Sequence, residues 1–210
     1  MNDLLSDTSM MLFGTGDHAA FAANKPPLYT PDTHWSYSSG TTNILSQCLR
    51  DSFDSDAEYW AYPAKVFSQV GMTSMLLDTD AAGTFVGSSY SYATPRDWAR
   101  FGLFALQQGQ WNGKQVLSSE WWEYALTPSV AAPLGEYGAQ WWLNAGSRNQ
   151  TVRHFPSLPH DAFFALGYQG QSVSMFPSQN VVVVRLGCSS SGSWDPEPFL
   201  SAILHTMNKQ

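Results

Sequence analysis

Apolar residues at spacings of three and four positions predict several helices along the chain. One such repeat lies between Thr41 and Phe53, where Ile44, Leu45, Cys48 and Leu49 recur at helical spacing. Further helices are expected near 17–23, near 58–70, between 94 and 109, between 118 and 126, and from 195 onward. In the last helix the apolar residues again share one face: Phe199, Leu200, Ile203, Leu204 and Met207.

Residues at the expected helix ends support these assignments. Thr94, Pro95 and Asp97 match an N-cap, a proline at the first helical position and an acid at the third. Ser38–Gly40 can satisfy the start of the helix that follows it. Asn112-Gly113 is typical of a two-residue turn between antiparallel strands. The helix boundaries are therefore predicted by local chemistry as well as by periodicity.

Segments rich in β-branched and aromatic residues predict strands. Two of them, Met75–Leu77 and Thr84–Tyr92, lie in the first half of the chain. Four more follow in the second half, separated by short turns: 140–143, 163–168, 171–176 and 181–186. Helices followed by consecutive strands and a final helix indicate an α+β fold, a mixed α/β sandwich in which helices flank an antiparallel sheet.

The composition excludes several classes of protein. The 210 residues suit one domain, or two very small ones. With 13% charged and 14% aromatic residues, the chain is neither disordered nor a coiled coil. A net charge of −7 argues against nucleic-acid binding, which requires a basic surface. No apolar run approaches the roughly 20 residues of a membrane span, and the first residues lack the basic-then-apolar order of a signal peptide.

The cysteine and histidine residues do not predict a metal site. Cys48 and Cys188 favour two buried free thiols over a disulfide and do not define the redox compartment. His154 and His160-Asp161 are candidate ligands, but their spacing fits no zinc motif, so we expect no metal. Glycine loops that bind nucleotides and a Gly-x-Ser-x-Gly nucleophile elbow are absent from the sequence, and we expect no cofactor.

One segment combines residues in an unusual way, because Tyr37 precedes a run of small hydroxyl residues and a predicted helix start. In a structural interpretation the helix is capped and Tyr37 packs against its surroundings. In a functional interpretation the phenol lies beside a reacting centre and transfers a proton. The segment alone favours the structural interpretation.

The stretch Tyr37-Ser38-Ser39, followed by Asn43-Ile44-Leu45, resembles the tyrosine-containing second motif of the serine β-lactamase/penicillin-binding-protein superfamily. It is most similar to the class C β-lactamase-like esterases and the 6-aminohexanoate-dimer hydrolases. Five further segments resemble the family in order and spacing: 71–75, 92–102, 137–142, 167–171 and 181–187. The resemblance implies a β-lactamase/transpeptidase-like fold and extends over nearly the whole chain.

Two positions of the second motif acquire roles through this resemblance. Tyr37 matches the catalytic tyrosine, which helps remove the proton of the nucleophile or protonates the leaving group. Ser39 occupies the position where class C enzymes carry asparagine, and serine is found there in esterase-like and amide-hydrolase relatives. Ser39 is therefore expected to contact substrate.

The third motif departs from the family pattern. Tyr168, Gln169 and Gly170 occupy the place of a Lys-Thr-Gly or His-x-Gly segment, on the strand that lines the family's cleft, and are expected to bind substrate. The backbone N–H of Gln171 is expected to contribute to the oxyanion hole. Because neither Lys nor His is present in this motif, binding of a substrate carboxylate should be weaker, which favours esters or amides over penicillins.

The family nucleophile is missing, since no Ser-x-x-Lys occurs among the 210 residues. We expect residues 1–210 to form the C-terminal portion of a single β-lactamase-like domain, incomplete at its N-terminus, from a truncated or divided gene product or a degenerate relative. Such a portion should be inactive alone. It should expose an apolar face that a missing N-terminal segment, a second copy in a homodimer or a partner chain would cover.

Three functions stay open from the sequence. A serine hydrolase that acts on a small ester or amide through an acyl-enzyme is favoured. A non-catalytic binding protein of the same fold is the alternative, since both Ser-x-x-Lys and the charge of the third motif are missing. The pairs Trp121-Trp122 and Trp141-Trp142 suggest a carbohydrate-binding module, which is disfavoured because one member of each pair should belong to the core. Localisation is not defined, although the low charge favours a periplasmic or secreted protein.

Overall fold

The computed structural model describes residues 16–30, 32–149, 152–190 and 193–207. It combines helices with antiparallel sheets, which confirms the predicted α+β class. The chain divides into two compact units, the first formed by residues up to 68 with 73–93, and the second by 69–72 with 94–210. The expectation of a single domain over 1–210 stays a prediction.

The described part of the first unit contains three helices and a two-stranded sheet. The helices are α1 (His18–Ala23), α2 (Ser39–Arg50) and α3 (Asp56–Gln69), and the last residue of α3 belongs to the second unit. Strand β1 (Leu76–Leu77) pairs antiparallel with β2 (Ser91–Tyr92). All three helices lie where the apolar periodicity predicted them, within about one turn at each end.

Two contacts organise the first unit. Tyr59 is only 1% exposed, and its phenolic oxygen accepts a hydrogen bond from the backbone N–H of Phe85 at 2.9 Å. A Cβ atom on Gly40 would lie 3.0 Å from the Cβ of Ala22, so the start of α2 approaches α1 too closely for a larger residue. The first turn of α2 is therefore held against α1.

The second unit begins with α4 (Pro95–Leu106), a hairpin of β3 (Gln110–Trp111) and β4 (Lys114–Gln115), and α5 (Ser119–Ala125). It ends with α6 (Pro196–Met207). The predicted caps and turn are confirmed. The hydroxyl of Thr94 accepts from the N–H of Asp97 at 3.3 Å, and the hairpin turn has φ values of 50° and 76° at its two central residues.

A four-stranded antiparallel sheet lies between these helices. Its strands are β5 (Trp142–Leu143), β6 (Phe163–Leu166), β7 (Ser172–Phe176) and β8 (Val181–Arg185), in the spatial order β5-β6-β7-β8. All pairs are antiparallel and neighbours in sequence, as predicted. Short turns join β6 to β7 and β7 to β8, but the short turn predicted between β5 and β6 is wrong, because residues 144–162 separate these strands.

Helices α4 and α6 cover opposite faces of this sheet. On one face, a Cβ atom on Gly102 of α4 would lie 2.5 Å from Val182 and 2.8 Å from Val173, so only glycine fits there. Phe176 is an odd number of residues from Val173 and points to the other face. There it joins Leu200 of α6 in the buried cluster Phe155, Leu158, Ala162, Phe164, Phe176, Leu200 and Leu204.

The strand predicted over Thr84–Tyr92 is wrong for most of its length. Only its last two residues are in a strand, and Phe85 makes an isolated bridge to Thr79. Two features interrupt it: Tyr90 has a left-handed backbone with φ 60°, and Gly87 approaches the side chain of Ser46 too closely for any Cβ atom. Residues 84–90 therefore form a loop that passes close to α2.

Several burial predictions are also wrong. Cys48 and Cys188 are free thiols, as predicted, but both are exposed. On α6, Phe199 is 39% and Met207 49% exposed, so only part of the predicted apolar face is covered. The prediction for the pair at 121–122 is confirmed instead: it lies on α5, where a helix was expected, and Trp122 is buried while its neighbour is not. Among the described residues, no helix is both long and apolar enough to cross a bilayer.

Candidate active site

Tyr37 lies in the extended segment that leads into α2. The next residue, Ser38, is the N-cap, and its hydroxyl accepts a hydrogen bond from the N–H of Gly40 at 3.2 Å. The capped helix is thus confirmed. Tyr37 itself is 47% exposed. The residue therefore lies at a helix start and is accessible to solvent.

Ser39 is the first residue of α2 and is partly buried. Its carbonyl oxygen accepts a hydrogen bond from Nδ2 of Asn43 at 2.8 Å, and the same amide nitrogen donates to the hydroxyl of Ser88 at 2.9 Å. Asn43 is 1% exposed. Sequence analysis did not identify this amide as the anchor of the motif, although a lone Asn one turn into an amphipathic helix is a signal for a buried polar contact.

The third motif forms a turn where the sequence predicted the end of one strand and the start of another. Tyr168–Gly170 make a single 3₁₀ turn between β6 and β7. Gln169 has φ 58° and ψ 32°, and Gly170 has φ 79°, so two consecutive residues are left-handed. This explains why the strand stops before Tyr168, whose side chain is 76% exposed.

Gln171 follows the turn and leads into β7 with φ −69° and ψ 141°. Its carbonyl accepts from the N–H of Gly167 at 2.8 Å, which closes the turn. Its own N–H lies 3.4 Å from the carbonyl oxygen of Tyr168, which is a long hydrogen bond. This N–H is therefore weakly engaged inside the protein, and its role in an oxyanion hole stays a prediction.

Residues beyond the sheet hold Gln169 in its left-handed conformation. The N–H of Ser189 donates to the carbonyl of Gln169 at 3.0 Å, and the thiol of Cys188 donates to its side-chain oxygen at 3.3 Å. The guanidinium of Arg185, at the end of β8, donates to the carbonyl of Gly170 at 2.6 Å. Sequence analysis missed Arg185, for which the only signal was a charge ending an otherwise all-valine strand.

The candidate metal ligands have structural partners. His154 stacks on Trp142 with ring centres 5.6 Å apart, and burial lowers the pKa of its imidazole. The carboxylate of Asp161 accepts hydrogen bonds from the N–H and the hydroxyl of Ser178. Within the described ranges, no group of three or more His, Cys, Asp or Glu side chains is close enough to hold a metal ion.

The six predicted site residues fall into two clusters, each within one unit. Tyr37 and Ser39 belong to the first unit, at the start of α2. The second unit brings the other four together in one turn: Tyr168, Gln169, Gly170 and Gln171.

Residues 1–195 match the family model described as Beta-lactamase, and the chain belongs to this family. A Bacillus anthracis protein described as a 6-aminohexanoate-dimer hydrolase has 26% identity and a TM-score of 0.66, over 90% of this chain and 46% of its own. A Mycobacterium bovis β-lactamase has 19% identity and a TM-score of 0.65, over 95% of this chain and 73% of its own. The superfamily resemblance seen in the sequence is thereby confirmed, and with it membership of a serine hydrolase family.

A curated relative has no described activity. It is an uncharacterized protein from Alkalihalophilus pseudofirmus, 33% identical over 115 residues, which cover 51% of this chain and 32% of the relative. The chain thus spans about a third of this relative and just under half of the Bacillus anthracis protein.

Proposed function

We propose that this chain is part of a serine hydrolase that cleaves small esters or amides through an acyl-enzyme. In that enzyme this portion transfers protons and stabilises the oxyanion. The position of Tyr37 carries the proposal. Tyr37 is 47% exposed and lies directly before a helix whose first turn is fixed by the buried Asn43. A phenol on such a fixed backbone can exchange a proton with a bound molecule.

The chemistry proceeds in two steps. In acylation, a serine oxygen from outside the 210 residues attacks the substrate carbonyl, and the bond to the leaving oxygen or nitrogen breaks. The hydroxyl of Tyr37 relays the proton: its oxygen accepts the serine proton as its own proton passes to the leaving group, so the phenol is neutral before and after the step. The N–H of Gln171 donates to the carbonyl oxygen as it becomes negative. Water then hydrolyses the acyl-enzyme, which releases the acid and restores the serine hydroxyl.

The third motif supports neutral substrates. The side chains of Tyr168 and Gln169 offer hydrogen bonds without a formal charge. A cationic side chain at either position would bind a substrate carboxylate more strongly, because charge-assisted hydrogen bonds are roughly twice as strong as neutral ones. We therefore propose esters or amides without a carboxylate next to the scissile bond as the preferred substrates.

A second candidate is a non-catalytic binding protein of the same fold. The absence of Ser-x-x-Lys from the 210 residues favours it, because the family's chemistry begins at that serine. The two candidates differ in whether an activated serine joins the site in the full-length gene product.

A fluorophosphonate probe, which labels activated serines, separates these candidates. We expect the 210-residue chain alone to remain unlabelled and the full-length gene product to be labelled at a Ser-x-x-Lys serine. Replacement of that serine by alanine is the control and should abolish the label. A label on the 210-residue chain contradicts the proposed inactivity of the chain alone, and an unlabelled full-length product favours the binding protein.

A further inference from the structure

Arg185 contacts the third-motif turn from the face of the sheet that α6 covers. It pairs in register with Ser172 of β7, and Val181 and Val183 precede it on β8 at even spacing. Both valines pack against the cluster that contains Leu200 of α6. Because residues at even spacing on a strand share a face, the side chain of Arg185 leaves β8 on this same side.

Three contacts hold the guanidinium in place. Nη1 donates to the carbonyl oxygen of Gly170 at 2.6 Å, and Nη2 donates to the hydroxyl of Ser189 at 2.8 Å. The guanidinium carbon lies 3.7 Å from the ring centre of Trp194, in stacking range. An arginine whose two ends and flat face are all engaged has little freedom to move.

The turn is shaped to receive this guanidinium. A Cβ atom on Gly170 would lie 2.7 Å from the Trp194 ring and 2.8 Å from Nη1 of Arg185. No side chain fits between them, and the φ of 79° at Gly170 independently requires glycine. The glycine of the third motif thus permits the approach of the cation to the backbone.

The charge of Arg185 is not used in an ion pair within the described residues. Arg185 differs in this respect from Arg50 and Arg100, which pair with Asp56 and Asp97. The carbonyl oxygen of Gly170 thus accepts its hydrogen bond from a charged donor that has no carboxylate partner in the described part of the chain. Such a hydrogen bond is stronger than one between neutral groups.

The carbonyl of Gly170 and the N–H of Gln171 belong to the same peptide group. This group is planar and trans, so the two bonds point in nearly opposite directions. A cation bound at the oxygen fixes the plane, directs the N–H away from the guanidinium and withdraws electron density from the nitrogen. The N–H consequently becomes a better donor, as in any chain of hydrogen bonds that polarise one another.

We propose that Arg185 is a positioning residue of the active site: through the Gly170–Gln171 peptide it orients and polarises the N–H that stabilises the oxyanion. The inference rests on the proposed role of Gln171. The third motif itself contains neither Lys nor His. In this proposal Arg185 supplies a positive charge beside the motif, and this charge acts through the backbone instead of on the substrate.

Nuclear magnetic resonance of the 210-residue chain tests the peptide contact without any need for activity. In R185M, loss of the cation should move the carbonyl carbon of Gly170 and the nitrogen of Gln171 upfield, while R185K retains part of the effect. R148M is the matched control, because Arg148 donates to the carbonyl of Val130 in the same unit. Unchanged resonances in R185M overturn the proposal, as do changes spread over β6, β7 and β8.

Kinetics of the full-length gene product test the consequence. R185M should lower kcat by about tenfold to hundredfold with little change in KM, and R185K should restore part of the rate. If R185M does not fold, S189A removes one of the two guanidinium hydrogen bonds and should give a smaller effect in the same direction. A change confined to KM overturns the proposal. An inactive wild type refutes the proposed function instead. The chemical shifts of Gly170 and Gln171 still test whether Arg185 polarises the peptide group.

Discussion

Asn43 Nδ2 lies 2.9 Å from the hydroxyl oxygen of Ser88 and joins the first turn of α2 to the segment that leads into β2. The same nitrogen also donates to the carbonyl of Ser39. One buried amide therefore holds the helix start that carries Tyr37 and a loop that is distant in sequence. This contact makes the second motif a rigid element of the first unit.

Replacement of Asn43 by alanine should destabilise the chain by about 2–3 kcal/mol, because two acceptors lose their buried donor. Urea unfolding followed by circular dichroism measures the loss. Thr41→Ala, an exposed change on the same helix, is the control and should stay within about 0.5 kcal/mol of wild type. Equal midpoints for N43A and wild type would contradict the anchoring role of the amide.

Gly102→Ala should destabilise the chain by about 1–3 kcal/mol, since a methyl group would overlap Val182 and Val173 across the α4–sheet contact. The thermal midpoint measures the effect. The double variant G102A/V182A creates room for the methyl group and should recover part of the loss. A G102A chain as stable as wild type would show that α4 and the sheet can separate without cost.

Local signals in the sequence predicted the elements that depend on neighbouring residues. The cap at Thr94, the Asn112-Gly113 turn and the periodicity of α2 are satisfied within a few residues, so short windows contain the information. The full burial of β7 and the continuous valines of β8 likewise reflect a sheet that is covered on both faces.

Long-range contacts account for what could not be predicted. The loop at 84–90 has strand-like composition, but the close approach of Gly87 to Ser46 and the left-handed Tyr90 exclude a strand. At the third motif, the left-handed Gln169 depends on partners nearly twenty residues further along the chain. Arg185 likewise acquires its role only when β8 aligns beside β7.

The stability of the chain should fall between about pH 7 and pH 5 partly because of His154. Burial lowers the pKa of this imidazole below its ordinary value of 6.5, although the carboxylates of Glu136 and Glu197 oppose the shift. The unfolded chain therefore binds a proton more readily than the folded one, so acid favours unfolding.

His154→Phe isolates this contribution. The ring can still stack on Trp142 but cannot be protonated, so the thermal midpoint of H154F should fall less than that of wild type over the same pH range. His160→Phe, an exposed position, is the control and should follow the wild type. Parallel pH profiles for H154F and wild type would contradict a lowered pKa at His154.

The exposed face of α2 should mediate self-association of the 210-residue chain. Leu45 and Leu49, one turn apart, are 49% and 45% exposed, and Cys48 on the same helix is also exposed. Light scattering should give twice the chain mass of 23.2 kDa, and L45E/L49E should return the mass of a monomer. A monomeric wild type at high concentration would contradict this expectation.

The most direct test of the proposed function is the hydrolysis of a short-chain ester by the full-length gene product and its Tyr37→Phe variant. Loss of a proton-transferring phenol should lower kcat by about 10²- to 10⁴-fold. Tyr124→Phe removes an exposed hydroxyl from α5 and should leave the rate unchanged. A large loss confined to Y37F is the predicted result, and equal rates for Y37F and wild type would contradict the account.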